Sequence, residues 1–234
     1  MKRCTILLVS ILGAGACSND LDPGAGDDPG HGTSTLLING DVTAQPRLTN
    51  ARARGDFDTE LSVRVTLNQV PVTTGTVTVT SSSGKVPLTF RQDPGRWEGS
   101  AAGYDQVYVL DVVSGADSVE GVRVDGPDIH VFTAPAIGAT LDSTQPLKVT
   151  WDSGEQADSA SIDVGEIDRL AIADTGSYML AAGSLKAEKD KAHENTIQLS
   201  RTNRVTPSGA VGGSELSVRV ENRLDVVAQP NPAL

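Results

Sequence analysis

Apolar and polar residues alternate along much of the chain after residue 34, and turn-forming residues separate the alternating segments. In the clearest segment, apolar side chains occupy every second position, at Leu61, Val63, Val65 and Leu67. This is the period-two pattern of a strand with one buried face. Further strands are predicted around 35–38, 77–79, 86–90, 104–112 and 119–124, with a turn signal at Asp93-Pro94-Gly95. Short strands separated by turns indicate a β-sandwich or a β-barrel, and we expect a β-sandwich domain over residues 35–132.

A second series of strands is predicted over residues 133–234. Apolar residues alternate with polar ones at 147–151, 160–164, 197–199, 216–220 and 224–227. The charged segment 185–195 instead predicts one or two helical turns. Together the two series predict an all-β chain with two β-sandwich domains, 35–132 and 133–234.

Residues 1–16 have a different pattern, which is typical of a secretory signal peptide. Lys2 and Arg3 precede an apolar run over 5–16, and that run is shorter than the ~20 residues needed to span a bilayer. Small residues then lead into Cys17. This junction resembles the lipobox of bacterial lipoproteins, although Ala14 stands where Leu is usual. The resemblance implies that Cys17 begins the mature chain and carries diacylglycerol and an N-acyl group such as palmitate.

An ordinary secretory signal, cut near Ala16 and leaving Cys17 as a free thiol, is the alternative. Residues 17–34 are predicted to be the lipidated cysteine and a disordered tether, because 18–34 hold four Asp, four Gly, two Pro and a single Leu. A flexible coil of that length reaches roughly 20–25 Å. By analogy with lipoprotein sorting, Ser18 indicates the outer membrane.

Charge and cysteine content exclude several functions. The net charge is −11, and removal of residues 1–16 takes away Lys2 and Arg3 and brings it to −13. Nucleic-acid binding needs a basic surface, so it is not expected. Cys4 and Cys17 are the two cysteines, so the body has none for thiol catalysis, redox chemistry or zinc. No cofactor is expected.

Two segments of the second domain resemble immunoglobulin and fibronectin-III domains. Residues 146–151, PLKVTW, are similar to an early fibronectin-III strand with its core Trp. Residues 174–180, DTGSYML, are similar to the immunoglobulin pattern Asp-x-Gly-x-Tyr-x-Cys, with Leu180 in the place of the Cys. The resemblance implies immunoglobulin-like sandwiches and a tyrosine corner at Tyr178. The chain departs from the families in lacking a disulfide pair and in the short spacing between Trp151 and Tyr178.

The segment Asp174-Thr175-Gly176-Ser177 is also similar to the aspartic-protease signature, in which two Asp share one proton. With one copy in the chain, the resemblance implies catalysis by Asp174 in a homodimer. The alternative is a hairpin turn or tyrosine corner, since Asp and Gly are frequent turn residues. Asp174 is therefore a weak catalytic candidate, and the chain is expected not to be an enzyme.

Three other features carry weaker hypotheses. Trp97 lies beside turn residues and is the aromatic residue expected to be exposed for glycan stacking. The motif around His31 is expected to be chance, because it falls in the predicted tether. The Asp clusters at 20–28 and 125–128 are expected to be solvated charges rather than a calcium site, and no metal site is expected.

The sequence thus predicts a lipid-anchored envelope protein with a structural, adhesive or partner-binding role. The partner would be a protein or a glycan of the envelope, and one mode of binding is strand addition at an exposed sheet edge. An aspartic-protease-like hydrolase and a glycan-binding module are the alternatives.

Overall fold

A computed structural model describes residues 21–233 of the chain. The strands in its first half are β1 (His31–Gly32), β2 (Leu36–Pro46), β3 (Phe57–Leu67), β4 (Val70–Pro71), β5 (Thr76–Ser81), β6 (Gly84–Pro87), β7 (Thr89–Arg91), β8 (Arg96–Ala102), β9 (Val107–Ser114) and β10 (Asp117–Asp125). Those in its second half are β11 (Val131–Ala134), β12 (Thr140–Leu141), β13 (Leu147–Asp152), β14 (Ser159–Val164), β15 (Ile167–Ile172), β16 (Ser177–Leu180), β17 (His193–Val205) and β18 (Glu215–Ala228). A short 3₁₀ turn at Arg54–Asp56 precedes β3.

The first domain consists of two sheets packed face to face. One face is the β2-β3-β8-β7 part of a ten-stranded sheet that continues through β18 into the second domain, and the other face is a five-stranded sheet with the order β1-β10-β9-β5-β6. Buried side chains from both sheets form one apolar core, which includes Ile38, Val63, Val79, Leu110 and Val122. Strands β2, β3, β8 and β7 facing β5, β9 and β10 give the four-plus-three arrangement of an immunoglobulin-like sandwich.

The second domain is a sandwich of three strands facing four. A three-stranded sheet, β11-β13-β16, faces the strands β15-β14-β17-β18, and β12 pairs with β18 in parallel. Its core includes Val149, Trp151, Ile162, Leu180 and Leu199. The predicted all-β fold with immunoglobulin-like sandwiches is confirmed. The core position of Trp151 on an early strand also agrees with the fibronectin-III-like segment.

The predicted strand at 86–90 is two strands in different sheets. Its first part, β6, pairs with β5, and its second part, β7, pairs with β8. Leu88, between them, is buried in the first core. The alternation of apolar residues continues through 86–90, so the sequence pattern alone predicts one strand where the chain passes from sheet to sheet.

The hairpin formed by β17 and β18 extends across both domains. The two strands pair without interruption from His193↔Ala228 to Val205↔Leu216. The first half of β18 also pairs in parallel with β2, from Glu215↔Asn39 to Val220↔Ala44. The two predicted strands at 216–220 and 224–227 are therefore one strand of 14 residues.

Every second side chain of β18 points inward along its whole length. Leu216, Val218 and Val220 are buried in the first core, while Leu224 and Val226 are buried in the second. The domain boundary between residues 132 and 133 stays a prediction. The half of the β17–β18 hairpin nearest its tip covers the first core, although it comes late in the sequence.

A polar layer, here called the junction, separates the two cores. It is formed by Asn50, His130, Arg201 and Asn222, all of them buried. Asn222 takes the inward position of β18 between the cores, and its amide donates to the carbonyls of Ala51 (2.8 Å) and His130 (2.7 Å). Asn50 donates to the carbonyl of Phe132 and accepts from its N–H, at 3.0 and 2.8 Å. These pairings satisfy amides that would otherwise be costly to bury.

Residues 21–34, here called the strap, lie along the first domain instead of extending from it as the predicted tether would. β1 pairs with β10, and Asp28 exchanges backbone hydrogen bonds with Arg123 at 2.7 and 3.1 Å. On the other side, Ser208 N–H donates to Pro29 O and Ser34 N–H donates to Gly209 O, in the tip of the β17–β18 hairpin. The polar composition predicts disorder, but these backbone groups find partners on two sides.

Two further features concern residues 21–233, the segment before β17 and the helices. The segment 187–192 contains bends and irregular backbone instead of the predicted helical turns, and β17 begins at His193. Within the same range no helix has the length and apolar character needed to cross a membrane.

We expect Leu216→Ala to lower the free energy of unfolding by roughly 2–5 kcal/mol, because it opens a cavity in the first core. Urea denaturation measures the change. Val211→Ala, which truncates an exposed side chain on the same hairpin, is the matched control and should stay within about 0.5 kcal/mol of wild type. Equal effects of the two variants would show that the hairpin is not part of the first core.

His130 should make the protein less stable in mild acid. Complete burial, assisted by the charge of Arg201, lowers the pKa of His130 to about 3, whereas an unfolded His titrates near 6.5. Between these values only the unfolded state binds the proton, so stability should fall by roughly 1.4 kcal/mol per pH unit as the pH drops below 6.5.

The measurement is urea denaturation between pH 7 and pH 4.5, for wild type, His130→Phe and His31→Gln. His130→Phe should lose most of the slope, whatever its absolute stability. His31 is exposed, so His31→Gln should keep the slope of wild type. A slope that survives in His130→Phe would assign the acid sensitivity to other groups.

Candidate functional site

The structure describes one of the two site residues that the sequence singles out. Asp174 lies in the loop 173–176, while Cys17 lies outside the described residues. This loop does not close a hairpin, because β15 before it pairs with β14 and β16 after it pairs with β13 in the opposite sheet. The loop therefore carries the chain from one sheet of the second domain to the other, with Asp174 turned inward.

The Asp174 carboxylate is surrounded by hydrogen-bond donors. The Arg201 guanidinium approaches Oδ2 through Nε at 2.9 Å and through Nη2 at 2.8 Å. The backbone N–H of Ala157 donates to the same oxygen at 2.7 Å, and the indole N–H of Trp151 donates to Oδ1 at 3.2 Å. The side chains of Asp174 and Arg201 are 2% and 0% exposed, so this is a buried ion pair.

Arg201 connects Asp174 to the junction. Its Nη1 donates to the carbonyl of Asp128 at 2.7 Å, and its Nη2 also donates to the carbonyl of Glu155. Arg201 is part of β17, Asp128 precedes β11, and Glu155 lies in the loop between β13 and β14. One guanidinium therefore holds three separate parts of the chain at the point where the two cores meet.

The electrostatic surroundings keep Asp174 ionised. Burial alone raises the pKa of Asp174, but the hydrogen bond and charge of Arg201, with the Ala157 and Trp151 donors, outweigh it and bring the pKa below its usual value. An aspartic-protease site needs a second carboxyl group against the first, so that the two share a proton. The groups that form hydrogen bonds with Asp174 within residues 21–233 are donors, and they suit a charged structural carboxylate.

The tyrosine corner predicted at Tyr178 is found at another tyrosine. Tyr178 is half-buried against the second core, and β16 occupies an edge position of the three-stranded sheet. In the first domain, Tyr108 lies near the start of β9, and its hydroxyl accepts the N–H of Asp105 three residues upstream at 2.9 Å. Burial raises the pKa of Tyr108 to about 12, so the hydroxyl stays protonated. The sequence signal is the segment 104–108, which carries Tyr at both ends.

The expectation that Trp97 is exposed is wrong. Trp97 is 6% exposed, its indole N–H donates to the carbonyl of Val72 at 2.9 Å, and Phe90 packs edge-on against the ring. The turn before Trp97 is exposed, but the Trp97 side chain lies on the inward face of β8, where the ring is buried. A glycan platform built on Trp97 is therefore ruled out.

The two Asp clusters meet in the fold, but their carboxylates bind protein donors. Asp125 Oδ2 accepts the N–H groups of Gly24 (3.0 Å) and Gly26 (3.3 Å), and Asp125 N–H donates to Asp27 Oδ1 at 2.8 Å. Across residues 21–233, no group of three or more Asp, Glu, His or Cys side chains is arranged to hold a metal ion. His31 lies in β1, so it is part of the docked strap and not of a tether.

An open cavity of about 480 Å³ marks where the strap reaches the junction. Leu21 and Pro23 of the strap line it together with Tyr104, Ile129 and Gly154. Tyr104 belongs to the first core, and Gly154 belongs to the β13–β14 loop of the second domain. The beginning of the strap is therefore beside the place where the two domains meet.

Among residues 21–233, β16 forms an open sheet edge of the second domain. In the first domain the corresponding strand, β8, is covered by β7, whereas β16 has β13 as its pairing strand. Met179 in the middle of β16 is 55% exposed. Edge strands with unpaired backbone groups are the usual sites for strand addition by a partner.

Comparisons with family models and with curated proteins give no match to this chain. Among solved structures, it is similar to a chimeric titin Z1Z2 tandem functionalised with a GRGDS peptide from fibronectin (11% identity, 86% of this chain and 100% of that chain, TM-score 0.23). It is similar to the FN1–FN3 domains of chicken CNTN1 (11% identity, 76% and 66%, TM-score 0.22) and to a beta-1,2-glucanase from Parabacteroides distasonis (8%, 88% and 38%, TM-score 0.23). Likenesses this weak carry no argument about function.

Proposed function

We propose that this chain is a lipid-anchored envelope protein with a non-catalytic structural, adhesive or partner-binding role. It would be held at the outer membrane through Cys17. The observation that carries the non-catalytic part is the environment of Asp174. Both of its carboxylate oxygens accept hydrogen bonds from buried donors, and its charge balances that of Arg201.

The same ion pair accounts for the sequence resemblance without catalysis. Asp174 suits this loop because its short carboxylate reaches Arg201 and Trp151 from the loop backbone, and Gly176 adopts a positive φ of 77°, which favours glycine. A carboxyl group that acts as a general acid or base has to exchange a proton with the substrate, whereas the Asp174 carboxylate is buried against donors that bring its pKa below the usual value.

A partner-binding role has support from the open edge of β16. An added strand there would take the place that β7 takes in the first domain. The outward side chain of Met179 lies at this edge, and Met adapts to irregular partner surfaces. We propose this edge as the place where a protein partner in the envelope would bind.

The first test separates a structural Asp174 from a catalytic one. Asp174→Asn leaves the buried Arg201 charge without its counter-ion, so the free energy of unfolding should fall by roughly 3–5 kcal/mol. Replacing a catalytic Asp usually leaves stability unchanged or raises it, because active sites are strained for function. Urea denaturation measures whether the free energy of unfolding of Asp174→Asn falls or rises.

Two further variants serve as controls for the Asp174 test. Asp152→Asn changes an exposed Asp of β13 and should stay within about 0.5 kcal/mol of wild type. In the double variant Asp174→Asn, Arg201→Met, both charges are gone, so the loss should be smaller than the sum of the single losses. Undiminished stability of Asp174→Asn, together with loss of a peptidase activity that wild type has, would support the protease instead.

The second test addresses the anchor. Cells producing wild type or Cys17→Ala are labelled metabolically with palmitate, and the protein is followed into detergent extracts of the membranes. Wild type should carry the label and fractionate with the outer membrane, and Cys17→Ala should lose both properties. Ser10→Ala, in the signal-like run, is the control that should keep the label. Label retained by Cys17→Ala would contradict the anchor.

A further inference from the structure

The docked strap limits how far the body can move from a lipid on Cys17. Leu21 is the first described residue, and it lies four positions after Cys17 in the sequence. A chain spans at most about 3.6 Å per residue, so Cys17 lies within roughly 14 Å of Leu21. A free tether over 17–34 would allow much more, but residues 22–34 are held on the body.

The attachment of the strap near Leu21 depends on β10. Arg123 Nη2 donates to Asp22 O at 2.6 Å, and Asp125 Oδ2 accepts two strap N–H groups. The side-chain amide of Asn203 donates to the carbonyl of Asp125 at 2.8 Å, which links this end of β10 to β17. The strap is therefore fixed to the body from its first residues onward.

The attachment point lies midway along the molecule. From Asp125 near the junction, β10 continues eight residues to Asp117 at the far end of the first domain. From Arg201 at the junction, β17 extends eight residues in the other direction to His193. At about 3.3 Å per residue, each end is roughly 25 Å from the junction.

We infer that the lipidated protein lies side-on against the membrane, with the strap and the junction facing the bilayer and both domain ends at similar heights. This rests on the proposed lipidation of Cys17. A long body tied at its middle by a link of roughly 14 Å cannot stand on either end, since either end is farther from Leu21 than the link allows. The partner of this surface is the lipid headgroup layer.

The charge of the strap sets what kind of bilayer the surface tolerates. Asp22, Asp27 and Asp28 are exposed on it. Anionic headgroups repel these carboxylates, while zwitterionic headgroups do not. The covalent link, not attraction, brings this surface to the membrane.

The test measures heights above the bilayer by energy transfer to headgroup-labelled acceptor lipids in phosphatidylcholine vesicles. Acylation of Cys17 leaves the body without a thiol, so a single introduced cysteine takes the fluorescent donor. Three exposed sites serve, Ala116→Cys at the end of the first domain, Gln156→Cys beside the junction and Ala182→Cys at the end of the second domain. We expect transfer from Ala116→Cys and Ala182→Cys to agree within about two-fold.

The control inserts 20 Gly and Ser residues between Asp20 and Leu21. The link then becomes a coil of about 27 Å, so transfer from all three sites should fall at least two-fold. Anionic lipid in the vesicles should also lower the energy transfer in wild type, but by less than the insertion does, because the short link limits how far the body can move away.

Two outcomes would overturn the side-on arrangement. One is a difference of more than two-fold between the two end labels, and the other is an insertion that changes nothing. Flotation with the vesicles tests the lipidation separately. If wild type fails to float, the anchor itself fails and this inference falls with it, whereas wild type that floats without the expected transfer pattern contradicts the orientation alone.

Discussion

The buried guanidinium of Arg201 sets the condition that the rest of the structure has to meet. A charged group without exposure needs a counter-ion and a partner for each N–H. Asp174 supplies the charge, and the carbonyls of Asp128 and Glu155 accept further N–H groups of the guanidinium. These groups come from a sheet-crossing loop, the segment between the domains and the β13–β14 loop. The ion pair therefore fixes the second domain internally and against the first.

The β17–β18 hairpin connects the ion pair at Arg201 to both domains. Apolar residues of β18 enter the first core on one side of Asn222 and the second core on the other. The tip of the hairpin contacts the strap through Pro29 and Gly209. The strand pairing continues without interruption from one domain to the other and so connects the two sandwiches and the strap. A short link at Cys17 can then orient all of it.

Much of the fold follows from alternation, and the exceptions have identifiable physical causes. The strands around Val63 and Ile162 are predicted correctly because one face is apolar and the other polar. The pattern of apolar residues predicts two strands in place of β18 because Asn222 is polar. The Asn222 side chain nevertheless faces inward, because its amide pairs with Ala51 and His130. The polar side chains of the strap predict disorder, whereas its backbone groups bond β10 and the hairpin tip. Local sequence cannot show such distant partners.

The sequence draws attention to Asp174 but does not reveal its partner. Asp174 stands out in the segment DTGS, but nothing in that segment identifies Arg201, which follows much later in the chain and looks like an exposed charge in a strand. Cys17 is the reverse case, since its proposed role depends on a short local motif and lies outside the described residues. Partners set by a neighbour in the sequence are predictable, and partners set by sheet pairing are not.

A buried ion pair of this kind often contributes less to stability than an apolar replacement would, so its value lies in what it excludes. A one-residue slip of β17 against its neighbours would turn Leu199 outward, which the apolar pattern already forbids. A two-residue slip keeps the same face inward, and alternation alone does not prevent it. That slip would carry Arg201 about 7 Å from Asp174 and leave both charges buried and unpaired. The pair therefore favours the observed register of β17, in which Arg201 lies against Asp174.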